Sequence, residues 1–505
     1  MPNGEELPYR TVQFTKDGNV FDAGEVAALL DMVAAPDVSD LLVLCHGWNN
    51  TMDEAKATYD HLLGLLLAAL AAGQVPEVGG RSFAVIGVLW PSKKFADKDL
   101  IAGHAAGIQP AVSDAVLLDQ LDELKQFLDD PAANAAVERA KQLVPLLEDK
   151  QSARAEFADV LVSTLPRTAA DEEDASSDLF ALPADEVMRR LSKPVLPAAG
   201  PRAPGEGGAA AVGEPSGHAA GFFKDLLSGG PKGAALKLTN LMTYYQMKER
   251  AGTIGAGGVY EVLSQVRERR PDIGMHLVGH SFGARLATAA IAGPPGKPPL
   301  QPDSLTLLQA AFSHYGFAAH WDGAHDGFFR AVVSDHLVSG PVLITYTQND
   351  LAVGYAYPLA SLLRNQVASG LGDKNDRFGG LGRNGAQKTP EAGDGTLLGV
   401  GGAYDFAAGR LYNLNADAVI TSHGDIAKEQ VTYALLTAIA GTRSPRASTD
   451  RASGSVVPPT SASSTARPET PSTSKATQPS SSPASSSSLW SRWTSRVRSW
   501  TRALR

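Results

Sequence analysis

Six short apolar runs constrain the fold of this chain more than any other feature. They are "DLLVLC" at 40–45, "SFAVIGVLW" at 82–90, "GMHLVGH" at 274–280, "SLTLLQAAF" at 304–312, "VLITY" at 342–346 and "RLYNLNADAVI" at 410–420. Largely apolar runs of this length read as strands buried on both faces. A seventh strand, "YRTVQF" at 9–14, precedes them. Helical stretches separate the runs, such as "MDEAKATYDHLLGLLLAALAAG" at 52–73, closed by Gly73. Strand, helix, strand at this spacing is the βαβ unit of a parallel sheet. The expected class is therefore α/β, a mostly parallel central sheet flanked by helices.

The pattern is interrupted once. Between about 101 and 238 no strand is convincing. Helices are expected near 113–129, with Ser113 as cap, and near 134–149 and 151–164. They are followed by "PVLPAAGPRAPGEGGAAAVGEPSGHAAG" at 194–221, whose Gly, Ala and Pro content predicts a flexible segment. A long helix is expected from 239. The predicted organisation is a core from 1–100 and 239–441 with a helical cap insertion at 101–238. A disordered Ser/Thr/Pro-rich linker at 442–488 and a basic amphipathic helix at 489–505 follow.

Composition narrows the function classes. Of 505 residues, 43% are hydrophobic and 20% charged, ordinary for a soluble globular chain. The net charge of −9 is divided. Residues 441–505 hold ten Lys and Arg against two acidic residues, a surplus of eight that leaves −17 on the body. An acidic body does not fit nucleic-acid binding. The single cysteine, Cys45, permits no internal disulfide and reads as a small buried apolar residue. With no signal peptide evident and no apolar run long enough to span a bilayer, the expected location is the cytoplasm.

One stretch carries chemistry: "GHSFG" at 279–283, fed by an apolar strand and followed by a small-residue helix pattern. Gly-x-Ser-x-Gly arises by chance in roughly a few of every ten chains this rich in glycine, so its strand-turn-helix context matters more than the letters. A serine hydroxyl needs a base, and the base an orienting acid. Of the histidines after Ser281, only His423 lies between a strand and a closing helix, in "AVITSHGDIAKEQ". Asp350 ends the strand "VLITYTQND", with Asp322 and Asp326 of "HWDGAHDG" as rival acids. An oxyanion needs two backbone donors: the Phe282 N–H after the serine, and one from an earlier loop, for which Trp48 in "CHGWNN" is well placed. His46 is expected to brace that loop, and His280 to be structural and point away from the serine. Asp425 is expected to cap the closing helix. No metal-ligand spacing, P-loop or dinucleotide fingerprint is present, and no cofactor is expected.

On "HGWNN" at 46–50, "WPS" at 90–92, "GHSFG" at 279–283, "ND" at 349–350 and "SHGD" at 422–425, the chain resembles the α/β-hydrolase superfamily, and within it the predicted serine esterases or lipases. The resemblance covers roughly 1–100 and 239–441. It implies Ser281 as nucleophile, His423 as base, Asp350 as acid, and Trp48 and Phe282 as oxyanion donors. It also implies a helical cap over the site, hydrolysis of small-molecule or lipid esters through an acyl-enzyme, and no metal. An idle hydrolase fold used for binding, or an acyltransferase, are the alternatives.

The last residues, "LWSRWTSRVRSWTRALR", place Trp490, Trp493, Val497, Trp500 and Leu504 at helical spacing among five arginines. That pattern predicts an interfacial helix for an anionic membrane surface, with docking on a protein partner as the rival reading.

Overall fold

The computed structural model describes residues 7–92, 112–128, 130–167, 173–174, 176–194, 228–350, 352–353, 363 and 377–442. The flexible run expected at 194–221, apart from Pro194, and everything from 443 on, the linker beyond Thr442 and the amphipathic helix included, lie outside these residues.

Among the described residues eight strands form one sheet: β1 (Tyr9–Gln13), β2 (Asp40–Cys45), β3 (Phe83–Leu89), β4 (Gly274–His280), β5 (Ser304–Leu308), β6 (Val342–Tyr346), β7 (Ala392–Thr396) and β8 (Leu411–Asn415). Their order is β1-β3-β2-β4-β5-β6-β8-β7. Every pairing is parallel. The seven expected strands are all present. The eighth, β7, falls at the end of "GLGDKNDRFGGLGRNGAQKTPEAGDG" at 370–395, a glycine-rich stretch that reads from sequence as a long loop. Its sequence, AGDGT, has no strand propensity, and it forms as a half-wet edge by pairing with β8.

The apolar runs are two-sided, as their composition requires. In β2, Leu41, Val43 and Cys45 enter one core cluster while Leu42 and Leu44 enter the other. Helix α1 (Ala23–Ala34) packs on the first face. Helix α2 (Met52–Ala71) covers the second, started by a capping box in which Thr51 and Glu54 exchange hydrogen bonds.

The insertion contributes α3 (Asp114–Phe127), α4 (Pro131–Leu143), α5 (Gln151–Val162), α6 (Ser176–Ala181) and α7 (Ala184–Leu191). Ser113 caps α3 as expected, accepting from the Val116 N–H. The long helix α8 runs from Gly230 to Ile254, nine residues earlier than its expected start. Its first turns, GPKGAALKL, look like more of the loop before them but are buried against α3, α5 and α7. A π turn at Gly255–Val259 leads directly into α9 (Tyr260–Arg269), so the glycine-rich stretch at 252–260 is helix.

Helix α10 (Phe282–Ala292) follows β4 and packs against α8. Two short helices, α11 (Arg330–Ser334) and α12 (Leu381–Asn384), lie in later loops. Helix α13 (Glu429–Ala440) closes the second face against α2.

Adjacent strands β2 and β4 thus send their following helices, α2 and α10, to opposite faces. In open parallel sheets such a divergence leaves a crevice at the carboxyl ends of the strands, where ligands bind. The loops holding 46–50 and Ser281 both start there.

Candidate active site

Ser281 is the residue between β4 and α10, with φ +57° and ψ −124°. A non-glycine residue adopts that conformation only where its surroundings fix it. The flanking glycines show how. A Cβ on Gly279 would lie 2.5 Å from the Ala284 Cα, and one on Gly283 would collide with the Cys45 and His46 carbonyls. The Gly-x-Ser-x-Gly spacing is therefore a steric requirement: the helix folds back tightly over β4 and against the end of β2.

His423 Nε2 is 2.8 Å from the Ser281 Oγ, and its Nδ1 donates to Asp350 Oδ2 at 2.8 Å. The three residues come from loops after β4, β6 and β8, separated by up to 142 positions in sequence. Asp350 is fully buried, and its other oxygen accepts the Val353 N–H at 2.9 Å. The "ND" pair has a second function. The Asn349 side chain donates to the Asp417 and Ile420 carbonyls, at 3.0 and 2.9 Å, which ties the loop of Asp350 to the segment leading to His423.

The rival acids are engaged elsewhere. Asp322 holds the His325 Nδ1 at 2.7 Å, and Asp326 pairs with His320, both within one exposed turn. Asp425 is not a cap. Lys428 occupies the N-cap position of α13, and Asp425 instead accepts from Thr421 and pairs with Lys428, closing the loop that carries His423.

The 46–50 loop runs beside the serine. A Cβ on Gly47 would sit 2.8 Å from Ser281 Cβ and 2.9 Å from His280 Nδ1, so only glycine fits. His46 braces the loop, as expected. Its ring stacks on Trp90, its Nδ1 bonds the Gly47 carbonyl at 2.9 Å, and its Nε2 accepts the Trp90 N–H at 3.2 Å. Burial lowers its pKa to about 4, so the ring is neutral. The Asn50 amide also holds the Gly47 carbonyl, at 3.2 Å. In a trans peptide the N–H opposes the carbonyl, so these bonds turn the Trp48 N–H away from Asn50 and His46. Neither it nor the Phe282 N–H has an acceptor among the described residues. The two side chains meet edge-to-face with ring centres 6.0 Å apart.

His280 does not point away from the site. Its Nε2 bonds the His423 carbonyl at 2.9 Å. Sequence reading also passed over Asn50 and Gln309, the latter within 3.2 Å of Asp350 Oδ2. Both are ordinary loop amides by composition, and only the folded geometry gives them partners.

Among the described residues no cluster of three or more His, Cys, Asp or Glu is arranged to hold a metal ion. No helix among them is long and apolar enough to cross a membrane. Compared with models of known protein families, with curated protein sequences and with solved structures, the chain matched none.

Proposed function

We propose that this chain is a serine hydrolase of the α/β-hydrolase type that cleaves carboxylic esters through an acyl-enzyme. The observation that carries the reading is the hydrogen-bonded line Ser281–His423–Asp350, with the serine on a strained strand-to-helix turn. In that arrangement the Ser281 oxygen attacks the ester carbonyl carbon and His423 Nε2 takes its proton. Asp350 keeps the His423 tautomer and stabilises the imidazolium. The negative oxygen of the tetrahedral intermediate accepts from the Trp48 and Phe282 N–H groups. Collapse expels the alcohol, which receives the proton from His423. A water then repeats the sequence on the acyl-enzyme and releases the acid.

The test pairs labelling with turnover. Wild type should react with a fluorophosphonate and hydrolyse p-nitrophenyl esters, while Ser281→Ala should do neither. Wild type that is inert to both favours an idle binding fold. Labelling without hydrolysis, recovered when an alcohol acceptor is added, favours acyl transfer. We also propose, on sequence alone, that residues 489–505 contact anionic membrane surfaces. Salt-sensitive co-sedimentation with anionic vesicles, lost in a chain ending at Ser488, would support that contact. Wild type that stays in solution would favour a protein partner.

A further inference from the structure

Gln309 is the residue immediately after β5, fully buried and at φ +45°, a conformation that a side chain of this size rarely adopts. Its side-chain amide is fully engaged. Nε2 donates to Asp350 Oδ2 at 3.2 Å and to the Gly382 carbonyl at 3.0 Å. Oε1 accepts from the Thr345 hydroxyl at 3.0 Å, and that hydroxyl in turn accepts the Gln309 backbone N–H at 3.3 Å. The orientation of the amide is forced. Turned over, its oxygen would face two other oxygens, a carboxylate and a carbonyl, with no proton between them. Gly382 presses from the other side, where a Cβ would collide with the Gln309 carbonyl carbon.

Asp350 Oδ2 therefore has two donors, Gln309 Nε2 and His423 Nδ1. With Val353 holding Oδ1, the carboxylate has one orientation and no rotational freedom. We infer that Gln309 is a positioning residue for the acid: its amide fixes Asp350 Oδ2 in line with His423, and only a hydrogen-bond donor can occupy that place. This inference rests on the triad reading above. It gives the strained backbone at 309 a purpose, since the end of β5 must turn its side chain toward the end of β6.

Two variants test it. Gln309→Leu keeps bulk and removes the donor. It should lower kcat by about tenfold or more across the pH range while KM changes by less than about twofold, because the defect lies in the charge-stabilising line rather than in substrate contacts. Gln309→Glu is near-isosteric. Between two oxygens its carboxyl is protonated near pH 6 and donates as the amide does, so activity there should stay within about threefold of wild type. As pH rises it ionises beside Asp350, and kcat should fall on an alkaline limb that wild type lacks. The downfield proton resonance of His423 Nδ1–H, assigned by its loss in Asp350→Ala, should shift in Gln309→Leu. That readout needs no turnover.

A packing role alone predicts equal loss in both variants at every pH and an unmoved resonance, and that result overturns the inference, as does wild-type behaviour in both. Wild type that takes up no fluorophosphonate defeats the hydrolase reading instead, and the resonance then decides the role of Gln309 by itself.

Discussion

The imidazoles of His280 and His423 lie 4.9 Å apart, ring centre to ring centre, and His280 Nε2 donates to the His423 carbonyl at 2.9 Å. The residue just before the proposed nucleophile thus holds the backbone of the proposed base. Burial, with the nearby His423 adding to it, lowers the His280 pKa to about 3, so this ring stays neutral wherever an esterase would be assayed. A single proton should then govern the acid limb of kcat/KM, with a slope of one. A slope of two would show that His280 takes up a proton in the same range. His280→Phe, which fills the space but cannot donate, should lower kcat by roughly tenfold with the fold kept, as measured by kcat on a p-nitrophenyl ester and by the melting temperature.

The 46–50 loop supports a second expectation. Gly47→Ala would drive a methyl group against Ser281 and His280. Asn50→Ala would free the Trp48 carbonyl, now held at 3.3 Å, and leave the Gly47 carbonyl to His46 alone, which loosens the direction of the Trp48 N–H. Loss of one oxyanion donor typically lowers kcat by about 10²–10³-fold. Asn50→Ala should approach the lower end of that range with KM little changed, because the donor is misdirected rather than removed. A kcat unchanged in Asn50→Ala would place the second donor elsewhere.

Much of this site could be read before the fold was seen, and the reason is local. The elbow, the "ND" after β6 and the His423 loop each lie at the carboxyl end of an apolar run, so chain order and sheet direction bring them together. What could not be read depends on distant partners. Whether His280 faced the site was decided by the backbone of a loop 143 positions away. Gln309 gains its meaning only from Asp350 and Gly382. The edge strand β7 has no propensity of its own. The Asp425 cap failed because its side chain found Thr421 and Lys428 first.

Buried neutral histidines make stability depend on pH. His46 and His314 are almost wholly buried, and burial lowers their pKa values to about 4 and about 3. In the unfolded chain both should titrate near 6.5. Below that pH the unfolded state binds protons that the native state refuses, so stability is present above pH 6.5 and is lost as pH falls toward 4. Each group contributes a slope of up to about 1.4 kcal/mol per pH unit. The unfolding free energy in urea should drop between pH 7 and pH 5, before most carboxylates titrate. His314→Leu also removes a ring nitrogen, Nε2, that has no partner among the described residues. It should flatten the dependence by about one proton. An unchanged slope in that variant would show that His314 is not kept neutral by the fold.

A helical cap that merely covered the site could be deleted with more effect on substrate preference than on folding. The contacts of the insertion argue for a different outcome. Nineteen of the 25 residues of α8 are buried, which leaves this helix no wet face, and α3, α5 and α7 cover the side that α10 does not. Leu121 of α3 and Phe157 of α5 belong to the same apolar cluster as Leu277 of β4 and Phe282 beside Ser281. Polar ties reinforce this. Lys248 of α8 pairs with Asp174 at 2.5 Å, and Lys237, with no carboxylate partner among the described residues, donates to the Leu191, Lys193 and Ser228 carbonyls. Removing the insertion would expose an apolar helix surface and strand a buried ammonium, so the remainder should not fold. A milder change tests the same coupling. Phe157→Ala leaves a large cavity and should destabilise by about 3–5 kcal/mol. If insertion and sheet unfold as one unit, calorimetry should show a single transition that moves down as a whole, with the proposed esterase activity well below that transition close to wild type. Two transitions, only the first of them shifted, would show that the insertion is an independent domain after all.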